Sequence, residues 1–146
     1  MTPAGTILAF DFGTKRIGVA VGTTAVAIAN PLGAIEGEVN AARFAAIEAF
    51  VKDWQPVLLV VGRPRHADGS PHETARLAER FARRLRERFR LPIVFVDETL
   101  SSAEAESKLR EARTRASRKA DVDAMAAAII LQSFLDSPRD HEPLAS

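Results

Sequence analysis

ILAFDFGTKRIGVAVG, residues 7–22, decides the architecture. Its apolar flanks read as two strands around a turn, yet the stretch carries a carboxylate, Asp11, and a basic pair, Lys15 and Arg16. Side chains of an extended chain alternate in direction, so Ile7, Ala9 and Asp11 share one face and Leu8, Phe10 and Phe12 the other. Gly13 and Thr14 suit a tight turn. RIGVAVG (16–22) then reads as the second strand and AVAIANPLGAIE (25–36) as a third, which makes the first part of the chain an antiparallel meander. Asp11 falls at the end of its strand and needs a partner for its charge.

Working outward, VNAARFAAIEAFVKDWQ (39–55) places Val39, Phe44, Ile47, Phe50, Val51 and Trp54 on one face of a helix that Pro56 ends. VLLVVG (57–62) is apolar throughout, as expected of a central parallel strand covered on both faces. Ser70, Pro71 and Glu73 supply an N-cap, a first-turn proline and a capping-box acid for the next helix. LPIVFVDE (91–98) is another buried strand, and Ser101 with Glu104 repeats the capping box ahead of a helix over 101–113. TRASRKA (114–120) lacks apolar periodicity and reads as a loop. The last helix runs from about Asp121 to Asp136, and the tail 137–146 is expected to fray. Three strands, helix, strand, helix, strand, helix, helix is the order of an α/β domain on a mixed five-stranded sheet. The reading is of a single domain over residues 1–146, with an ordered core over about 5–137.

Composition narrows the function classes. A chain of 146 residues suits one domain, and 47% hydrophobic with 27% charged residues is ordinary for a globular fold. The absence of cysteine excludes disulfides and thiolate metal sites. Neither a signal peptide nor a membrane span is visible, so a cytoplasmic protein is expected. The net charge of +1 is unevenly spread: residues 63–90 hold nine Arg against four acids, and residues 107–119 hold six Lys or Arg against one acid. Basic blocks beside acidic ones suit a polyanionic partner. The same arginines also serve as the solvated face of a helix.

Three acids stand at element ends. Asp11 closes the first strand, Glu98 follows the strand PIVFV, and Asp123 opens the last helix. Central parallel strands would bring their carboxyl ends to one edge, where α/β sheets keep their sites. Carboxylates about 4 Å apart repel by roughly 1 to 4 kcal/mol per pair, so a convergent set must be protonated or share a cation. Oxygen-only ligands favour Mg²⁺ or Mn²⁺, and two such ions are the arrangement suited to phosphodiester hydrolysis. Each acid also has a plainer reading: Asp11 in a turn, Glu98 against a basic partner, Asp121 or Asp123 charging a helix N-terminus. His66 and His72 flank a glycine-containing loop, as carriers of a proton or as exposed loop residues.

Four motifs, DFGTKRIGVAV, VVGRPRHADGS, VDETLSSAEAE and DVDAMAAAIILQSFL, resemble those of the YqgF (RuvX) family in order and spacing, from about Ile7 to Leu135. The resemblance implies a ribonuclease H-like fold and an endonuclease that resolves Holliday junctions or matures the 5′ end of pre-16S ribosomal RNA. It implies Asp11, Glu98 and Asp123 as metal ligands and catalytic residues, with Mg²⁺ or Mn²⁺, two ions in all, as cofactor. Lys15 and Arg16 would turn outward beside the active edge and grip the backbone, together with Arg63, Arg115, Arg118 and Lys119. Family members often carry Arg after the DE pair where Thr99 stands here; if that Arg helps hold the scissile phosphate, its role either passes to Arg16 or Arg63 or is missing in this chain. Asp121 is a rival ligand to Asp123. The partner expected is nucleic acid, precursor rRNA or branched DNA, bound by a monomer or a homodimer.

Two other classes compete. DFGT also resembles the phosphate loop of actin-like ATPases and sugar kinases, which close two such domains over a nucleotide. A noncatalytic RNA-binding module would keep the fold and the basic blocks but leaves three converging acids without a purpose.

Overall fold

A computed structural model describes residues 4–63, 73–97 and 119–144. Its strands are β1 (Thr6–Phe12), β2 (Arg16–Thr23), β3 (Asn30–Glu36), β4 (Leu58–Arg63), β5 (Ile93–Asp97) and β6 (Glu142–Pro143). Its helices are α1 (Asn40–Trp54), α2 (Glu73–Phe89) and α3 (Lys119–Asp136), with a 3₁₀ turn at Pro138–Asp140. The six strands lie in the order β3-β2-β1-β4-β5-β6. β1, β2 and β3 form the antiparallel meander, while β4 runs parallel to both β1 and β5. The carboxyl ends of β1, β4 and β5 therefore share one edge, in the register Asp11–Gly62 and Arg63–Asp97.

Alternation along β1 divides the core in two. Leu8 and Phe10 join Val19, Phe44, Ile47, Leu59, Phe81 and Leu85 on the side of α1 and α2. Ile7 and Ala9 join Ala20, Val60, Ala127, Leu131 and Phe134 on the side of α3. Helices cover both faces, which is why β4 is apolar from Leu58 to Gly62 and wholly buried. Gln132 of α3 accepts from Ala29 N and donates to Ala27 O, at 3.0 Å each, fastening the β2–β3 connection to the helix.

Several expectations are corrected. The third strand starts at Asn30 rather than Ala25, because Ala27 takes a positive φ of 58° and Val26 and Ile28 point to solvent. Val39 and Trp54 are exposed rather than on the buried face of α1: Val39 precedes the helix, and Trp54 ends it beside Gln55 at φ 45°. The tail does not fray through Leu144. Residues 142–143 add a sixth strand to the five expected, paired antiparallel to β5, and Leu144 N donates to Ile93 O at 2.8 Å. The capping residues Ser70, Pro71, Ser101 and Glu104, the helix over 101–113 and the loop up to Arg118 lie outside the described residues, whereas Lys119 and Ala120 already belong to α3.

Candidate active site

Asp11 occupies the end of β1 with the parity of Ile7 and Ala9, so it stands on the α3 side of the sheet. Across the ladder it is in register with Gly18 of β2. The start of α3 packs on that glycine: a Cβ at position 18 would lie 2.0 Å from the Asp123 carbonyl oxygen and 3.3 Å from Asp123 Cβ. Nothing larger than hydrogen fits there without moving the helix. The β1–β2 turn is equally close, since a Cβ on Gly13 would meet the Arg16 carbonyl oxygen at 2.4 Å.

The outcome is one open cavity of about 270 Å³, lined by Asp11, the chain from Phe12 to Arg16, and Asp123. The structure thus brings together four of the residues singled out in the sequence: Asp11, Lys15, Arg16 and Asp123. Asp121 is exposed in the first turn of α3 and does not line this cavity, which separates it from Asp123. Lys15 is exposed, as expected. Arg16 is not turned outward. Its Nε donates to Asp123 Oδ2 at 2.6 Å, with both side chains partly exposed, because the start of α3 brings a carboxylate over the strand that carries the guanidinium.

Arg63 departs further from its expected place at the phosphate. It is 3% exposed. Its Nε donates to Asp97 Oδ1 at 2.8 Å, Nη2 to Glu142 Oε2 at 2.6 Å and Nη1 to Glu79 Oε1 at 3.2 Å, and the guanidinium sits over the Phe95 ring. Burial pulls its pKa down, but the hydrogen bonds and charges of Asp97 and Glu142 outweigh this, so the net shift is upward and the cation is held. With all three nitrogens engaged, Arg63 ties β4, β5, β6 and α2 together.

Glu98, Arg115 and Arg118 lie outside the described residues, as do Thr99, His66 and His72; Lys119 begins α3. Among the described residues no group of three metal-ligating side chains occurs. Two carboxylates on one open cavity fit a hard divalent cation by donor type, provided Arg16 yields Asp123 Oδ2 to it.

Sequence reasoning passed over Gly18 and Arg43. Gly18 gives no local signal, because its purpose is a contact with a helix more than a hundred residues away. Arg43 did give one: it precedes Ile47 by one helical turn and so lies on the buried face of α1, where it is 5% exposed. Its Nη2 donates to the Gly13 carbonyl, bracing the β1–β2 turn from the side opposite α3.

A family model described as RuvX, Holliday junction resolvase, matches residues 5–137. The chain is 56% identical over 135 residues to a protein of Dechloromonas aromatica (strain RCB) named "Putative pre-16S rRNA nuclease", covering 92% of each. It is 51% identical over 134 residues to a protein of the same name from Thiobacillus denitrificans (strain ATCC 25259 / T1), covering 91% of this chain and 92% of the relative. In fold it is similar to T. thermophilus RuvC in complex with a Holliday junction substrate, with a TM-score of 0.61 at 13% identity, covering 96% of this chain and 99% of that one. That likeness concerns the fold, a ribonuclease H-like mixed sheet flanked by helices. Matched by the family model over nearly its whole length, and about half identical to relatives along it, the chain belongs to the RuvX family.

Proposed function

We propose that this protein is a divalent-metal-dependent endonuclease that hydrolyses phosphodiester bonds, in the 5′ maturation of pre-16S rRNA and in resolving branched DNA. The observation that carries the reading is the cavity on which Asp11 and Asp123, from opposite ends of the chain, stand together with Lys15 and Arg16. Family membership and the names of the relatives agree with it.

Asp11 and Asp123 would hold Mg²⁺ or Mn²⁺, with Glu98, next in sequence after Asp97 of β5, as the third carboxylate. When bound, a pair of such ions lowers the pKa of the attacking water and stabilises charge on the leaving oxygen. The chain's own residues do the rest. Arg16 orients the Asp123 carboxylate, Gly18 sets the distance between α3 and the sheet, and Lys15 offers a cation to the phosphate from the rim. Arg115, Arg118 and Lys119 would add backbone contacts that steer a polyanion to the edge. A role on precursor rRNA implies a cytoplasmic protein in bacteria, consistent with the absence, among the described residues, of a helix long and apolar enough to cross a membrane.

The test is cleavage of precursor rRNA and of a four-way DNA junction in Mg²⁺ by the protein and by Asp11→Asn. The substitution is expected to cut the rate at least about 100-fold while leaving the metal-free melting curve in place. Equal rates for the two proteins would overturn the assignment. Binding that survives EDTA, with no cleavage of either substrate even in Mn²⁺, would replace it with the noncatalytic RNA-binding reading.

A further inference from the structure

The β1–β2 turn has a second cavity behind it, on the side of α1 and α2. It measures about 190 Å³ and is bounded by Arg43 of α1 and by Arg80 and Arg84 of α2, with Thr14 and Asn40 at its edge. Among the described residues no carboxylate lines it. Three guanidinium groups around one small space repel one another, and neither Arg80 nor Arg84 forms an ion pair with a described residue. Arg43 is the most constrained of the three. Its side chain is buried, its Nη2 is spent on the Gly13 carbonyl, and its Nε has no hydrogen-bond partner among the described residues. Burial lowers its pKa against the opposing pull of Glu38, as for a cation short of compensation.

We propose that this cavity is a second anion site, which takes a backbone phosphate of the bound nucleic-acid strand next to the one at the acidic cavity. The inference rests on the nuclease reading for the identity of the strand. Among the described residues every polar side chain at the site can donate a hydrogen bond, and the convergent charge is positive, which selects an anion over a metal ion. A phosphate is favoured over a base because the rings are already committed to one another. Phe12 and Phe44 pack on Phe81 at centroid distances of 5.0 and 5.8 Å, and the Arg43 guanidinium lies over the Phe12 ring at 5.3 Å. Phe12 and Thr14 border both cavities, so the two are separated by the width of one turn, and a single strand can engage both. Occupation from both sides would hold the turn, and with it Lys15 and Arg16, in register with the strand.

The test uses the full chain and a fluorescently labelled single-stranded RNA oligonucleotide, titrated in EDTA across a series of salt concentrations. Arg80→Gln with Arg84→Gln removes two surface cations at the cavity, and Arg76→Gln with Arg83→Gln removes two exposed cations of the same helix that do not line it. The first pair is expected to weaken binding about tenfold and to reduce the slope of log Kd against log salt by about 0.7 for each phosphate that is no longer neutralised. The control pair should change the affinity less than about twofold. Equal effects from both pairs would mean that α2 attracts RNA only by its overall charge, and would overturn the site. So would unchanged affinity after the first pair, or no binding by the unsubstituted chain. A protein that binds through Arg80 and Arg84 but cuts nothing in Mg²⁺ overturns the nuclease reading alone; one that cuts, yet binds equally after the first substitution, overturns the anion site alone.

Discussion

Gly18 and Asp123 meet through backbone, which makes position 18 more exacting than its place in an ordinary apolar strand suggests. With the Asp123 carbonyl oxygen 2.0 Å from the point where a Cβ would stand, alanine must push α3 outward or bend β2. Overpacking of this kind costs about 1–3 kcal/mol. Gly18→Ala is therefore expected to lower stability by that amount in chemical denaturation, and to depress cleavage further than the stability loss accounts for, because Asp123 moves with the helix. An alanine variant as stable and as active as the parent would show that the helix is not held against the strand. The charge pair nearby was only half legible. Placement at element ends together with the family resemblance pointed to Asp11 and Asp123 meeting, whereas the 2.6 Å contact of Arg16 with Asp123 depends on which strand lies beneath the helix start.

At the scale of elements, the C-terminal tail shows how a polar sequence acquires structure. Nothing in SPRDHEPLAS is apolar enough to announce a strand, yet β6 pairs Val94 with Pro143 and Phe95 with Glu142. What fixes it is a charge elsewhere: Glu142 Oε2 accepts from the buried Arg63 at 2.6 Å, and the carboxylate is itself 61% exposed, so solvent screens part of its attraction. Removing residues 138–146 deletes this ion pair, the Leu144 N to Ile93 O hydrogen bond and the cover on the β5 edge. The truncated chain is expected to lose about 1–3 kcal/mol and, with a bare edge, to associate at high concentration. Calorimetry and light scattering check the two effects, and an unchanged melting temperature would mean that β6 contributes nothing. The other elements are more plainly written in pattern. The apolar runs Ile7–Phe10 of β1 and Leu58–Gly62 of β4 each specify a strand covered on two faces, since burial on both faces is expressed directly in residue type. The ends of α1 are less legible: Val39 and Trp54 fit the helical period but fall at its margins, where no layer lies above them.

For the whole molecule, β1 and the start of α3 bring two carboxylates to one cavity, and a cation bound there would link sheet to helix. Melting temperature is accordingly expected to rise with Mg²⁺ concentration without ATP, by an amount equivalent to about 2.7 kcal/mol at a hundredfold excess over Kd, and Asp11→Asn should abolish the rise. A rise that appears only when ATP is added would favour the phosphate-loop reading of DFGT. The order of elements, the two-faced first strand, the central apolar strand and the acids at their ends were determined by the sequence by itself. Those features follow from the fixed periods of strand and helix, which any stretch of chain expresses locally. Tertiary structure decided the partners of five arginines: Arg63 inward to three carboxylates, Arg16 onto Asp123, Arg43 beneath the turn, and Arg80 with Arg84 around a shared cavity. A long charged side chain takes its role from the nearest opposite charge or open space, and in a mixed sheet that neighbour comes from a distant part of the chain.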